Sequence, residues 1–381
     1  MKRSTNRILT THTGSLPRPP ELIEMIRQAE TGELADRAAF EAKVREAVAD
    51  AVRRQAEAGI DVLNDGEMGK PGYATYIKDR CTGFGGENRM TIVQGEARDF
   101  PEWSERRRGT GGAAILRPAC DGPIAWKDFA AVKRDIDNLR AAAAGVAAEE
   151  VFMTAASPGV IATFLANDYY PSSDAYLEAI ANVMRDEFNA IHQAGFLLQL
   201  DCPDLAMSRH NRFADRSLAE FRRVVARHVE VVNEATKDIP PDRIRLHLCW
   251  GNYEGPHQLD VPLRDIIDIV LTANANAISF EGANPRHEHE WKIWREVKLP
   301  DEKVLVPGVI DSTTNFIEHP EVVADRITAA VAAVGDRKRV LAGVDCGFGT
   351  FAGWGLVDPK VAWAKLAALA EGARIASKRL Y

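Results

Sequence analysis

Long apolar runs are missing from this sequence. No stretch of about 18 uncharged apolar residues occurs, and the opening MKRSTNRILTTHTGS has no apolar core of signal-peptide length. A membrane partner is therefore not expected, and the chain reads as cytoplasmic. An excess of positive charge is missing too: 48 Lys and Arg against 55 Asp and Glu, a formal net charge of −7, leave no basic face for a polyanion. Nucleic acid is excluded as an expected partner, and the substrate is expected to be small. Cysteine is sparse. Cys81, Cys120, Cys202, Cys249 and Cys346 are odd in number and widely spaced, which argues against a disulfide framework and leaves each thiol to packing, metal or chemistry. The glycines of GFGGENR and SERRRGTGGAA follow neither the dinucleotide-binding spacing nor the P-loop consensus, so no nucleotide site is expected there. Tandem repeats, long linkers and low-complexity tracts are absent.

What is present is the mix of an ordinary globular protein, 46% hydrophobic and 27% charged over 381 residues, which excludes disorder, coiled coil and collagen. Short β-branched or apolar runs alternate with long helical patterns, the mark of repeated βα units around a parallel sheet. Eight such runs stand at 8–12, 60–65, 151–155, 196–201, 244–249, 277–281, 304–309 and 340–346. Between them, AAFEAKVREAVADAVRRQAEAG ends on Gly59 as a helix C-cap should, and SLAEFRRVVARHVEVVNEAT opens on Ser217 with Glu220 as a capping box. Eight units predict an α/β fold, a (β/α)8 TIM barrel spanning residues 1–381 as a single domain. The stretch at about 68–150 breaks the alternation and is expected to be a β-excursion inserted after the second strand, with an extra strand at 114–120 and a helix from Trp126.

Active sites of such barrels form at the C-terminal ends of the strands. The polar residues there are His12 and Ser15, Asp65 and Glu67, Ser157, Asp201, His247 and Cys249, Glu281, Asp311, and Cys346. His247 and Cys249 are two apart on an expected strand, so both face the barrel interior as a bidentate pair. Closure of the barrel adds Glu281 and Cys346. Two thiolates, an imidazole and a carboxylate suit tetrahedral zinc by type and number. A hydrogen-bonded core histidine beside packing thiols would explain HLC alone, but not four donors gathering at the same end. HEHEW, with His287 and His289, lacks the HExxH spacing and reads as a solvated or substrate-facing loop. Zinc with so anionic a ligand set is a weak activator of water, yet it still deprotonates an incoming thiol, which predicts alkyl transfer to sulfur. Glu281 and Asp311 are the candidate catalytic residues, Glu281 as a labile ligand that yields to the substrate sulfur. Ligands spread over three strands, with no CxxC knuckle, favour an enzyme over a non-catalytic zinc-stabilised binding protein.

The segments TTHTGSLPRP, NDGEMGK, LQLDCPDLAM, RLHLCWGN, ISFEG, VPGVIDSTTNF and VDCGFGT stand in the order, and at the strand ends, of the catalytic domain of cobalamin-independent methionine synthase, which the chain resembles over nearly its whole length. The resemblance implies catalytic zinc on His247, Cys249, Glu281 and Cys346. It also implies homocysteine held by Gly14 and Ser15 at its carboxylate and by Glu67 and Asp201 at its ammonium. The implied activity is a zinc-dependent methyltransferase of methionine biosynthesis, taking its methyl group from methyltetrahydrofolate or a methylcorrinoid protein; a homo-oligomer is compatible with it. Three departures stand out. The family's full-length members carry an additional N-terminal barrel, absent from this sequence, which leaves use of a polyglutamylated folate open. The family's Asp-Glu pair after the fourth strand is Asp201-Cys202 here, and its proton-donating histidine is Thr313, leaving His257 or His287 as substitutes. Epoxyalkane:coenzyme M transferase is similar in fold and zinc site, and Arg209, His210 and Arg212 are cations that could meet its thiol-sulfonate. Uroporphyrinogen decarboxylase-like barrels, some of which methylate thiols from corrinoids, are a further relative by chemistry.

Overall fold

The β-branched and leucine-rich runs do become strands. In the computed structural model, which describes residues 1–87, 95–107 and 116–381, these are β1 (Val62–Leu63), β2 (Phe84–Gly86), β3 (Ala119–Cys120), β4 (Glu150–Ala156), β5 (Leu197–Asp201), β6 (Ile244–Leu248), β7 (Ala277–Phe280) and β8 (Val304–Pro307). β1, β4, β5, β6, β7 and β8 form one parallel sheet in that order. Segments 8–12 and 340–346 close it into a ring. Leu341 N and Gly343 N donate to Leu305 O and Pro307 O of β8, Thr11 N donates to Ala342 O, and Val62 N of β1 donates to Thr10 O. These two segments make single bridges rather than continuous ladders. At Thr10 the reason is local: its N–H goes to the Asp61 carboxylate (2.8 Å) instead of a neighbouring backbone carbonyl. The (β/α)8 architecture is thus present, with its first and last strands pinned partly by side chains.

Alternation along the strands sorts the side chains. Leu198, Leu200, Leu246, Leu248, Ile278 and Phe280 join the large core beneath the helices, while Leu9, Ala277, Val304, Val306 and Leu341 make a small separate cluster, and Val62, Phe152 and Leu197 another. The residues alternating with the first set line the barrel's interior, and toward the strand ends they are polar: Gln199 pairs with Arg245, and Asp201 with His247, which pairs with Ser279. Arg245 is buried over the Phe152 ring at 4.1 Å and donates to Thr11 Oγ1 and His12 O.

Helix Arg37–Glu57 is capped by Asp36, which accepts from Ala39 N, and Gly59 beyond it takes φ +86°. Helix Leu218–Ala235 carries the Ser217–Glu220 capping box. Among the described residues no helix is long and apolar enough to cross a membrane.

The excursion is the antiparallel pair β2–β3 between β1 and β4. Its second strand is shorter than the expected 114–120, beginning at Ala119; residues 114 and 115 lie outside the described residues. The following helix spans Ala130–Ala143 rather than starting at Trp126. Trp126 is spent on anchoring the excursion: it bridges to Cys81, and its indole N–H donates to Val183 O (3.2 Å) on the helix Ser173–Gln193.

Candidate metal centre and substrate pocket

His247 stands on β6 and Cys249 directly after it, while Cys346 ends the segment that closes the ring. One ligand atom from each lies within 4.8 Å of the other two, and all three residues are buried. The Cys249 and Cys346 sulfurs are 3.6 Å apart, against about 3.8 Å for two thiolates on one tetrahedral zinc at the usual Zn–S length. His247 Nδ1 is 3.3 Å from Ser279 Oγ, which orients the ring. Its Nε2 is buried with no hydrogen-bond partner among the described residues. Burial, with Arg245 beneath, pushes the His247 pKa down to about 3, so the imidazole is neutral and its lone pair available. The hydrogen bond to the Cys346 sulfur first, and burial next, raise the Cys249 thiol well above its ordinary range, a pair that a bound cation would deprotonate. The donor set fits a divalent ion.

Glu281 is beside this group rather than within it. Its side chain contacts Cys249, but its Oε1 accepts from Trp250 N (2.7 Å) and its Oε2 from Asn284 Nδ2 (2.8 Å). Burial and the Cys249 charge raise its pKa well above the carboxylate range. The loop bearing it is tied down by Asp345, which accepts from the backbone N–H of Gly282, Ala283 and Asn284 at 2.8 Å each. Sequence reasoning passed over Asp345, although it adjoins Cys346.

Gly14, Ser15, Glu67 and Asp201 gather at the same mouth. Gly14 has φ +138°, and a Cβ there would lie 2.6 Å from Thr154 Cγ2 and 2.8 Å from Glu67 Oε1, so only glycine permits this approach. Gly14 N donates to His12 Nδ1 (3.2 Å). Ser15 packs on Gly347, the residue after Cys346. Glu67 adopts a left-handed φ of +56°, a strain that functional positions retain. Its Oε1 accepts from Thr154 Oγ1 (2.9 Å), while its Oε2 is buried without a hydrogen-bond partner among the described residues. Asp201 accepts from Gln199 Nε2 (2.9 Å), and burial followed by the Glu67 charge raises its pKa well above normal. Two carboxylates crowded in a dry pocket are suited to receive a cation.

Asp311 is buried nearby, but both of its oxygens serve its own loop: Oδ1 accepts from Thr313 N and Oγ1, and Oδ2 from Thr314 Oγ1. These bonds hold the loop that carries Asp311 and Thr313 at the strand end. His257 is committed through both ring nitrogens, to Asp260 and to Tyr253 O. HEHEW divides: His289 is exposed, whereas His287, expected in a solvated loop, is buried and stacks on Trp250 with ring centroids 4.2 Å apart.

Sequence reasoning also missed the wall over the mouth. Tyr73 packs against Phe164 and Phe351, and the Arg117 guanidinium lies over both of those phenylalanines. Burial and the charges of Cys249, Cys346 and Asp201 push the Tyr73 hydroxyl well above its ordinary pKa, which places it against both the metal group and the carboxylate pocket. Tyr73 and Arg117 belong to the excursion, whose docking no local pattern reveals.

A (β/α)8 barrel with imidazole, thiols and carboxylates converging at its C-terminal mouth belongs to the class of barrel enzymes whose sites are built from strand-end loops. The family described as "Cobalamin-independent synthase, Catalytic domain" matches residues 8–99 and 121–369. The chain belongs to this family, that of cobalamin-independent methionine synthase. It is 25% identical to the methionine synthase of Thermococcus kodakarensis over 372 residues, 97% of this chain and 94% of that protein. To the methionine synthase of Pyrococcus furiosus it is 26% identical over 372 residues, 97% and 93% of the two chains. In fold the chain is similar to a B12-independent methionine synthase from Shewanella sp. W3-18-1, with a TM-score of 0.73 and 21% identity over 98% of this chain and 99% of that one.

Proposed function

We propose that residues 1–381 act as one methionine synthase-like barrel, with its insertion at about 68–150, and transfer a methyl group to the sulfur of homocysteine in a zinc-dependent reaction. The observation that carries this reading is the His247–Cys249–Cys346 group: three soft or borderline donors within 4.8 Å, one of them with an unpaired ring nitrogen aimed into a buried site. A zinc ion held there would lower the pKa of an incoming thiol and keep it as a thiolate at neutral pH. The remaining work belongs to the chain. Glu281, already in contact with Cys249, is the fourth donor and the one free to yield. Glu67 and Asp201 receive the ammonium, and Gly14 and Ser15 the carboxylate, so that the sulfur is presented toward the two cysteines. Tyr73, Phe164 and Phe351 exclude water over the reacting atoms. Methyltetrahydrofolate and a methylcorrinoid protein both remain as donors.

Of the three cations named for the epoxide reading, Arg209 donates through one nitrogen to Phe213 O and Ala214 O, and His210 lies 2.9 Å from Asp260, which favours the methyl-transfer reading over it. The test is a matrix of thiol and electrophile on zinc-loaded protein. Homocysteine and coenzyme M are each offered methyltetrahydrofolate, methylcobalamin and epoxypropane, with product mass as readout. Methionine is expected. A product only from coenzyme M and epoxypropane would transfer the assignment to the epoxide reaction, and no product from metal-replete protein would make it a binding protein.

A further inference from the structure

A second group of metal-type ligands lies in the loops that follow β5, β6 and β7, and shares no residue with the thiol group. Its centre is Asp260, buried in the loop after β6. Asp260 Oδ2 is bonded to His257 Nδ1 (2.8 Å) and His287 Nε2 (2.9 Å). Its Oδ1 lies 2.9 Å from His210 Nδ1 as an ion-pair contact. His210 is 2% exposed, and its Nε2 has no hydrogen-bond partner among the described residues. The third member is Glu96, fully buried and contributed by the excursion. Its Oε1 accepts from the Tyr253 hydroxyl (3.1 Å), while Oε2 has no hydrogen-bond partner among the described residues. One ligand atom from each of Glu96, His210 and Asp260 lies within 4.8 Å of the other two, and the same holds for His257, Asp260 and His287.

A hydrogen-bonded network alone does not account for this arrangement. Among the described residues it leaves the Nε2 of a buried imidazole and the Oε2 of a buried carboxylate without a partner, and buried polar atoms are rarely left so. A divalent cation would satisfy lone pairs on nitrogen and carboxylate oxygen together. We propose that Glu96, His210 and Asp260 bind a second divalent metal ion, of the nitrogen- and oxygen-seeking first-row class that includes Mn2+, Fe2+, Co2+ and Zn2+. His257 and His287 orient the Asp260 carboxylate from its other oxygen, as supporting groups orient metal ligands elsewhere. Because Glu96 rides on the excursion while His210 and Asp260 ride on barrel loops, the ion clamps the excursion across the mouth. The site stands whether or not the thiol group methylates homocysteine.

The test is metal stoichiometry on the whole chain. Protein stripped by chelator, reloaded with Co2+ and freed of excess ion is analysed for cobalt and by absorption spectroscopy. Wild type should hold two equivalents. Cys249→Ser with Cys346→Ser should lose the thiolate-to-cobalt charge-transfer band and keep one equivalent; His210→Ala should keep that band and lose the other equivalent. A wild type that holds one equivalent, abolished by the cysteine replacements and untouched by His210→Ala, overturns the proposal. Should His210→Ala not fold, Glu96→Gln is the second variant, and anomalous diffraction from cobalt-loaded wild-type crystals decides: a peak between Glu96, His210 and Asp260 supports the site and its absence refutes it.

Discussion

Glu67→Gln isolates the charge on which recognition of an amino acid thiol depends. The substitution keeps the shape of the side chain and an oxygen to accept from Thr154 Oγ1. It deletes the negative charge beside Asp201, where Glu67 Oε2 has no hydrogen-bond partner among the described residues. A hydrogen bond to a charged group contributes about 1.5–3 kcal/mol, and 1.36 kcal/mol is a decade, so homocysteine should bind roughly 10- to 150-fold more weakly. The readout is calorimetric titration of zinc-loaded protein with homocysteine and with γ-mercaptobutyrate, which has the same thiol and carboxylate but no ammonium. Only homocysteine should be affected. The pH dependence adds a second readout. Burial first, and Glu67 next, raise the Asp201 pKa, so wild-type affinity for the ammonium should grow as pH rises through that raised value. Removing the like charge lets Asp201 ionise at lower pH, and the rise should shift to lower pH in Glu67→Gln. Equal weakening of both ligands, or none of either, would refute the ammonium assignment.

Other outcomes follow from the same geometry. Cys346→Ser removes one of two sulfurs 3.6 Å apart and should cost more metal affinity than the roughly 10- to 100-fold that loss of a ligand's supporting hydrogen bond costs, measured by competition with a chromogenic chelator. His12 is buried with a pKa lowered from 6.5 to about 4, chiefly by desolvation. It is neutral when folded and more readily protonated when unfolded, so its stabilising contribution is present above 6.5 and lost as pH falls from there to about 4. That is about 3 kcal/mol at 1.36 kcal/mol per unit, and the unfolding free energy from urea titrations across this window should fall by that much more in wild type than in His12→Asn. Gly347→Ala would put a Cβ 1.9 Å from Ser15 Oγ and 3.2 Å from Ser15 Cβ. It should destabilise by about 1–3 kcal/mol, and Ser15→Ala added to it should recover part of the loss in the same denaturation assay, since the contacts that remain, with Ser15 Cβ at 3.2 Å and Ser15 N at 3.4 Å, are far looser.

The strand ends were legible because they depend on patterns a few residues long. His247 and Cys249 share a face through the period of two along β6, and segment 340–346 carries Cys346 to the same end because parallel strands all finish on one side of the barrel. Family motifs then supplied Gly14, Ser15, Glu67 and Asp201, and the structure puts all of them at that mouth. Asp311 and Thr313 stood in a motif of the right kind, yet whether a carboxylate is free or spent on its own loop is a matter of torsion angles that the letters do not encode.

By itself the sequence determined the class of fold, the shared direction of the barrel strands, and a metal-type donor set, because hydrophobic periodicity and chain order are local properties. Tertiary structure decided which donors meet at bonding distance, that Glu281 stands beside the cysteines with both oxygens already engaged, and that Asp345 holds its loop in place. It alone brought Tyr73 and Arg117 of the excursion over the pocket, and Glu96 to His210 and Asp260. These contacts join residues far apart in the chain through surfaces formed only after the barrel closes, and no periodicity records where an excursion comes to rest.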